Sequence, residues 1–385
     1  MTCQTNSNVI SEISEILFNE GMGGLNTAIS ILVNEAMQIE RGKHLKAEPY
    51  ERSSERRGYA NGFKDKKLKT RVGALDLKVP QVRDSSFYPS FLEKGLRSER
   101  ALMLSMAEMY INGVSTRKVQ NIMEQLCGFD ISSSEVSRAT KLLDEELENW
   151  RRRPLGIYKY LFLDARYEKI RYECRVVDCA ILIAIGIGKD GKRDILGVSV
   201  KLSEQEVHWR DFLQDLQVRG LHGMELIISD AHSGLKAAKK AVFPSVPWQR
   251  CQFHLQQNAQ SYVPKKSLKE QVAFDIRSIF NAPSQNEAER LLKQISDKYE
   301  KEAPDLAKWM VDNLPEGFTV FTFPVNHWRR LRTSNIAERL NREIKRRTRI
   351  VGVFPNVASC ERLISAVLLE ICDEWQTSDV YLNFS

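Results

Sequence analysis

Three carboxylates in unusual settings are the residues of this 385-residue chain whose types and spacing suggest chemistry. Asp164 and Asp230 each follow a short apolar run that predicts a β-strand, and open α/β sheets place ligand sites where strands end. Glu338 lies beside the apolar stripe of a predicted helix that is otherwise densely basic. Ordinary alternatives are a turn residue for Asp164, a helix N-cap for Asp230 and a solvated basic helix around Glu338.

Brought together, these three acids would form a metal site. Two aspartates and a glutamate at close range repel one another unless a cation neutralises them. Oxygen ligands with room for water and substrate suit Mg²⁺ or Mn²⁺. Two such ions can activate a water or a 3′-hydroxyl and stabilise the leaving oxygen of a phosphodiester. The pattern therefore predicts metal-dependent phosphodiester chemistry.

The helix predicted around Glu338 carries a positive charge that could hold a polyanion against such a centre. Ile336, Leu340 and Ile344 recur at helical spacing and predict one buried face. Gly352 predicts the end of the helix. The polar positions are candidates for binding the DNA backbone: Arg332, Asn335, Arg339, Arg342, Lys345, Arg346 and Arg347.

Composition indicates a soluble, multidomain globular protein. Apolar residues make up 42% and charged residues 28% of the chain, and the net charge of +7 weakly favours a polyanionic partner. Seven scattered cysteines predict a reducing, cytoplasmic setting and no disulfide framework. No signal peptide is evident, and the most apolar run, residues 176–187, contains Asp178 and is too short to span a bilayer.

The N-terminal part reads as mainly helical. Amphipathic helices are predicted over residues 10–19 and 25–40, a basic loop or arm over 41–67, and a small hairpin over 70–83. Residues 98–150 read as helices in the layout of a helix-turn-helix DNA reader, although three-helix patterns also arise from packing alone. Ser132 and Glu135 predict a capping box at the start of the third helix, and Arg138 and Lys141 on that helix are candidates for DNA contacts.

Strands dominate the chain after a predicted linker at residues 147–154. The pattern of three strands, a helix, a strand, a helix and a short strand predicts a mixed sheet with helices on it, an α/β arrangement. Asp190 and Gly191 predict a hairpin turn. Residues 255–326 read as helical, residues 357–374 as a further amphipathic helix, and the residues after Gln376 as a frayed tail.

Several motifs in order resemble the Mutator-type family of transposases of bacterial insertion sequences. They are LDARYEKIR at 163–171, SDAHSGLKAA at 229–238, CQFH at 251–254 and RTSNIAERLNREIKRR at 332–347. The similarity also includes YANGF at 59–63, VPQVR at 79–83 and the Phe354–Pro355 pair, so it covers nearly the whole chain.

The resemblance implies an RNase H-like catalytic core with an Asp-Asp-Glu site, interrupted by an α-helical insertion before the glutamate. The roles it implies are metal ligation by Asp164, Asp230 and Glu338, with two Mg²⁺ or Mn²⁺ ions as cofactor. Glu343 is the alternative third acid, but it lies about 140° around the helix from Glu338, so both would not ligate one site. The family pattern favours Glu338.

Cys251 and His254 fit the short Cys-x-x-His element of the family. Without a second pair of ligands this element is a weak zinc signal, and a structural or DNA-positioning role is expected. Two His-Trp pairs, His208 with Trp209 and His327 with Trp328, are further candidates for DNA contacts, with core packing the expected role of any one of them.

These observations predict a multidomain α/β protein in five parts. The parts are an N-terminal helical region with basic arm and hairpin (1–97), a helix-turn-helix-like region with linker (98–154), the first part of the RNase H-like core (155–254), the α-helical insertion (255–331) and the C-terminal helices of the core carrying the glutamate (332–385).

The predicted function is that of a cytoplasmic DNA transposase. It would bind the terminal inverted repeats of its own insertion sequence, cleave strands, and join a freed 3′-hydroxyl to target DNA. Because two ends must meet, a homodimer or larger assembly is expected, with no membrane partner. The alternatives are an RNase H-like nuclease without strand transfer and a transposase-derived DNA-binding regulator that has lost catalysis; the presence of all three acids argues against the latter.

Overall fold

The computed structural model describes residues 4–47, 51, 54–83, 87–92, 94 and 97–384. The chain divides into two compact units, Met1–Leu143 and Asp144–Ser385. Unit 1 contains five helices and two strands in its described part: α1 Gln4–Glu20, α2 Leu25–Leu45, β1 Tyr59–Thr70, β2 Gly73–Arg83, α3 Arg100–Ile111, α4 Thr116–Cys127 and α5 Ser133–Ala139. The two N-terminal helices confirm the helical pattern predicted for this region.

The hairpin of unit 1 is longer than the sequence predicted. β1 pairs antiparallel with β2, and the chain reverses just before Gly73, whose φ is +117°. Most of β1 falls in the segment predicted as a basic loop, and that part of the prediction was wrong; residues 48–50 and 52–53 of the same segment lie outside the described residues. The strand was missed because most of its side chains face solvent, whereas β2 buries Leu75, Leu77 and Val79 against α2.

The three helices predicted for residues 98–150 of unit 1 are present as α3, α4 and α5. The Ser115 side chain caps α4 by accepting from the Lys118 amide at 3.3 Å. Ser132 and Glu135 form the predicted capping box at the start of α5. A shared apolar core that includes Met106, Val119 and Val136 holds the helices together.

Unit 2 is a mixed α/β structure, as predicted. A five-stranded sheet has the order β5-β4-β3-β6-β7, with β3, β4 and β5 antiparallel and β6 and β7 parallel to β3. Its strands are β3 Tyr158–Tyr172, β4 Arg175–Gly188, β5 Arg193–Lys201, β6 Leu226–Ser229 and β7 Trp248–Arg250. Its helices are α6 Asp144–Arg152, α7 Glu206–Val218, α8 Ser233–Val242, α9 Gln252–Ala259, α10 Lys269–Phe280, α11 Gln285–Tyr299, α12 Pro304–Asn313, α13 Val325–Leu331, α14 Asn335–Thr348 and α15 Val357–Thr377.

β3 is longer than predicted, which changes the predicted position of Asp164. It continues past Asp164 to Tyr172, so Asp164 lies within a strand and not at its carboxyl end. The turn to β4 is made by Glu173 and Cys174, with φ of +46° and +61°. Such a turn usually carries Gly or Asn, and because Glu173 and Cys174 are neither, no turn was predicted there. The predicted turn at Asp190 and Gly191 is confirmed.

Helices cover both faces of the sheet. Alternate β3 residues, including Leu161 and Leu163, pack with α7 and α8. The opposite face, which carries Phe162 and Asp164, is the side where α14 and α15 contact the sheet. The segment from α9 to α12 is helical, as predicted, and has an apolar core of its own.

Both ends of unit 2 are more ordered than the sequence suggested. Residues 144–152, which include most of the predicted linker, form α6, and Trp150 is buried. The residues after Gln376 are not frayed, because the Tyr381 and Leu382 amides donate to the Gly191 carbonyl at 2.9 and 3.1 Å. His327 contacts the Asn383 carbonyl at 2.8 Å, and Phe384 packs beside Tyr160. The tail therefore covers the hairpin between β4 and β5.

One helical stretch near the N-terminus, Asn8–Leu45, passes a test for membrane spans by length and composition alone. The 3₁₀ turn Gly21–Gly24 interrupts it, and α2 packs on β2. This is weak evidence for a span, since core helices of globular proteins pass the same test.

Candidate active site

Asp164 and Asp230 lie side by side on neighbouring strands. β3 and β6 are parallel, with Phe162 paired to Ile228, and continuing this register by two residues sets Asp164 opposite Asp230. Asp230 follows the last residue of β6, as predicted, and its Oδ1 accepts from the His232 amide at 3.2 Å. Because the neighbouring strands lie about 5 Å apart, the two carboxylates share one small volume at this edge.

Asp164 is held in an environment that disfavours its charge. Burial, followed by the nearby charge of Asp230, raises the pKa of Asp164 to about 7, although the Ala165 amide donates to its Oδ1 at 2.9 Å. Its Oδ2 accepts from Asn341 Nδ2 at 2.7 Å. Two close carboxylates, in which the pKa of Asp164 is raised, are the electrostatic arrangement that a cation relieves.

Helix α14 brings the third acid to the same region. Its apolar face buries Ile336, Leu340 and Ile344, as predicted. Glu338 and Asn341 lie one turn apart on the opposite face, and Asn341 contacts Asp164. In the described part of the chain, no donor is within hydrogen-bond reach of the buried Glu338 Oε1. A buried carboxylate oxygen without a donor is suited to a cation.

The Cys-x-x-His element ties this helix to the sheet. Cys251 directly follows β7; its amide donates to the Ser229 carbonyl at 2.8 Å, and its Sγ accepts from the Ser334 amide and hydroxyl, each at 3.3 Å. Ser334 immediately precedes α14. Cys251 therefore links the strand end that carries Asp230 to the helix that carries Glu338.

His254 lies beside the acids. One ligand atom each from Cys251, His254 and Glu338 lie within 4.8 Å of one another. The hydrogen bond with Cys251 and, less strongly, the charges of Asp230 and Asp164 raise the pKa of His254 to about 9. Burial raises the pKa of Cys251, but the interactions with His254 and Ser334 outweigh it and leave the thiol pKa lowered. At neutral pH, His254 is thus a fixed positive charge facing the carboxylates.

Two residues of this region were missed by sequence reasoning. Asn341 could have been found, since it lies three residues after Glu338 and so shares its helical face. Glu204 precedes α7 and has no such signal. Burial raises its pKa, its Oε2 lies 3.7 Å from His232 Nδ1, and its charge contributes to the raised pKa of Asp164.

Glu343 is oriented differently from Glu338. Its Oε2 accepts from Arg346 Nε at 3.0 Å, and it lines a separate cavity on the other side of α14. The geometry therefore favours Glu338 over Glu343 as the acid near Asp164.

Most of the basic residues singled out on and before α14 reach the surface. Asn335, Arg339, Arg342, Lys345 and Arg346 are exposed, and Arg332 is half-buried. Arg347 differs, because it is 9% exposed and lies 3.4 Å from Glu370, so it pairs within the protein and its DNA contact stays a prediction. In unit 1, Arg138 and Lys141 are exposed.

The two His-Trp pairs serve mainly in packing, as expected. Trp209, His327 and Trp328 are buried, and His208 is half-buried. His327 Nδ1 contacts the Tyr160 hydroxyl at 2.8 Å, and Trp328 Nε1 donates to the Phe323 carbonyl at 2.7 Å.

A family model described as "Transposase, Mutator family" matches residues 1–378. The chain belongs to the Mutator family of transposases.

Relatives that the chain matches over most of their length are named transposases for insertion sequence elements. The chain is 54% identical to a transposase for insertion sequence element IS406 of Burkholderia multivorans, with 100% of both chains covered. It is 41% identical to the transposase for IS256 in transposon Tn4001 of Staphylococcus aureus, with 92% of each covered. A transposase for IS1081 of Mycobacterium tuberculosis is 40% identical over 86% of this chain and 81% of its own.

A solved simian T-cell lymphotropic virus intasome in complex with a PP2A regulatory subunit was also matched. The likeness covers 54% of this chain and 69% of that chain, at 11% identity and a TM-score of 0.19. A score at this level does not establish a shared fold.

Proposed function

We propose that this transposase cleaves and joins DNA strands at an Asp-Asp-Glu site made of Asp164, Asp230 and Glu338. The observation that carries the proposal is the pairing of Asp164 with Asp230 on parallel strands, with α14 attached to Asp164 through Asn341. The order of three antiparallel and two parallel strands supports an RNase H-like core, with the helical segment α9–α13 lying between Asp230 and Glu338.

Divalent metal is the cofactor that these residues fit. The raised pKa of Asp164 favours a bound cation. So does Glu338 Oε1, which accepts no hydrogen bond from the described residues. Asp164, Asp230 and Glu338 would hold one or two Mg²⁺ or Mn²⁺ ions. When bound, the metal would activate the attacking hydroxyl and stabilise the leaving oxygen.

The other residues of the site would position these ligands. Asn341 donates to Asp164 and fixes the carboxylate that β3 presents. Cys251 fastens Ser334, and with it the start of α14, to the end of β6. The positive charge of His254 would offset the acids before metal binds and lies where it could contact the phosphate of a bound strand.

DNA is the proposed partner, as terminal inverted repeats and as target. The exposed side chains Arg339, Arg342 and Lys345 lie on the helix that carries Glu338 and would bind phosphates. In unit 1, α3–α5 would read the repeats, with Arg138 exposed in the last turn of α5 and Lys141 exposed in the 3₁₀ turn that follows it. A homodimer or larger assembly acting in the cytoplasm follows from the need to bring two ends together.

The test uses the inverted repeats that flank the gene, offered as a labelled duplex with Mg²⁺. We expect the natural protein to nick the duplex at the repeat end and to join the freed 3′ end to a second DNA. Asp230→Asn and Glu338→Gln should lower both rates at least a hundredfold while DNA affinity stays within about threefold. Asp312→Asn, a change at an exposed position on α12, is the matched control and should keep full activity.

The outcomes separate this proposal from its alternatives. Nicking without any joined product would indicate a nuclease. Equal DNA binding by all variants with no nicking by any of them would indicate a DNA-binding regulator. Full activity of Glu338→Gln would remove Glu338 from the site.

A further inference from the structure

A cavity of about 420 Å³ lies on the side of α14 away from Asp164, and its volume is typical of small-ligand sites. Successive helical residues are 100° apart, so Arg339 and Glu343 line this cavity while Glu338 and Asn341 point elsewhere. We call it the arginine pocket after the five arginines in its wall: Arg193, Arg329, Arg330, Arg332 and Arg339.

The arginines of this pocket lack anionic partners. Across the residues that the structure describes, none of the five lies within 4.0 Å of a carboxylate oxygen. The carboxylates in the wall are Glu343, which pairs with Arg346, and Glu374. Burial, and less strongly the charges of Arg330 and Arg339, lower the pKa of Arg193 although Tyr381 raises it. Such an excess of positive charge is neutralised when an anion binds.

Two of these guanidinium groups lie over aromatic rings. The Arg193 guanidinium lies 4.7 Å from the Trp375 ring centroid and 5.3 Å from that of Tyr381. Arg330 lies 4.5 Å from the Tyr381 centroid. A guanidinium over a ring can still donate from its N–H edges to the oxygens of a phosphate, although Arg193 Nη2 also donates to the Ser378 hydroxyl at 3.0 Å.

Part of the lining is apolar. Ile336, Leu340, Ile371 and Trp375 contribute to the wall, and Ile336 and Leu340 are buried. Basic side chains next to an apolar surface match the two parts of a nucleotide, a phosphate and a flat base. A paired duplex offers its backbone but keeps its bases stacked, so it would leave the apolar part empty.

We infer that the arginine pocket binds one unpaired nucleotide of the DNA strand near the cleaved end, with the phosphate on the arginines and the base against the apolar wall. This rests on the proposed function, because it assigns the pocket to the same DNA. The pocket and Glu338 lie on opposite sides of one helix, about 10 Å thick with its side chains, so a strand could reach both within a few nucleotides.

The test measures binding of full-length protein to two forms of the repeat-end duplex, one fully paired and one with three unpaired nucleotides at its end. The Asp230→Asn background prevents cleavage. We expect the unpaired form to bind about tenfold more tightly, and 2-aminopurine in the unpaired segment to change its fluorescence on binding. Arg330→Gln should remove most of this preference, and the exposed Arg277→Gln on α10 should keep it.

Two results would overturn the inference. One is that the Asp230→Asn protein binds both duplexes with equal affinity. The other is that adding Arg330→Gln lowers the affinity for both duplexes equally, which would make the arginines a general phosphate surface. Saturable binding of free deoxynucleoside monophosphate, lost in Arg330→Gln and accompanied by no duplex preference, would reassign the pocket to a free nucleotide. Cleavage by the natural protein is measured separately, so failure of the inference and failure of the proposed function remain distinct.

Discussion

The surroundings of Asp164 disfavour its negative charge. Its side chain is buried beside Asp230, and it accepts hydrogen bonds from Ala165 and Asn341. The sequence predicted that both aspartates matter, because each follows an apolar run. It could not predict which of their neighbours would be charged, since His254 and Glu204 reach the site from distant segments.

The raised pKa of Asp164 has a measurable consequence for stability. The folded protein holds this proton up to about pH 7, above the ordinary value of 3.8, so the contribution of Asp164 to metal-free stability is greatest below about pH 4 and is lost as pH rises through about 7. Asp164→Asn removes the charge, and rotation of the Asn341 amide would supply an acceptor for the new amide. We expect the variant to be more stable at pH 8 in a chelator by on the order of 2–4 kcal/mol.

Urea unfolding of both proteins between pH 4 and 8 checks this. Mg²⁺ should stabilise the natural protein and not the variant, because ligand binding to the folded state shifts unfolding by mass action. If the unfolding free energies of the two proteins changed in parallel with pH, Asp164 would not be the group that titrates.

At the scale of elements, the site depends on how closely α8 approaches the segment before α7. A Cβ added at Gly234 would lie 2.3 Å from the Glu204 carbonyl oxygen and 2.9 Å from the Glu206 amide nitrogen. Both contacts are with backbone, so no side chain can move aside. The segment that carries Glu204 therefore packs directly on the first turn after Asp230.

Gly234→Ala should consequently destabilise unit 2 by about 2 kcal/mol or more and slow DNA cleavage. Gly156→Ala is the matched control, since a Cβ there meets nothing within 4 Å. Thermal unfolding and cleavage rates of the two variants provide the comparison. Equal melting temperatures for both variants would show that the α8 contact is looser than the structure indicates.

Elements with strong local patterns were predictable, and those set by tertiary contacts were not. The apolar stripe of α14, the capping box of α5 and the turn at Asp190 were read correctly because each signal lies within a few residues. β1 was missed because most of its side chains face solvent, and the turn at Glu173 because it lacks Gly and Asn. Nothing in the sequence of the C-terminal tail indicated that it would donate hydrogen bonds to the distant Gly191.

At the scale of the whole molecule, the two units have separate apolar cores. The core of α3–α5 lies within Met1–Leu143, whereas the proposed acid site lies within Asp144–Ser385. DNA reading and strand chemistry are therefore assigned to different units of the chain.

A fragment of residues 144–385 should fold and lose end-specific binding. We expect cooperative thermal unfolding, because the fragment keeps its sheet and helical cores. Its affinity for the repeat end should fall to that for scrambled duplex, measured by gel shift at fixed salt. Retained preference for the repeat end would show that unit 2 reads sequence.

The hydrogen bonds from Tyr381 and Leu382 to Gly191 also set an order for folding during synthesis. Domains generally fold as units, N-terminal first, so unit 1 can form while unit 2 is still being translated. Tyr381, Leu382 and Asn383 are made well after both strands of the hairpin that they cover, so that hairpin waits for them. A chain that terminates before α14 would keep the proposed DNA-reading unit and lack Glu338. Such truncated products would occupy element ends without cutting them and so act as inhibitors of the full-length protein.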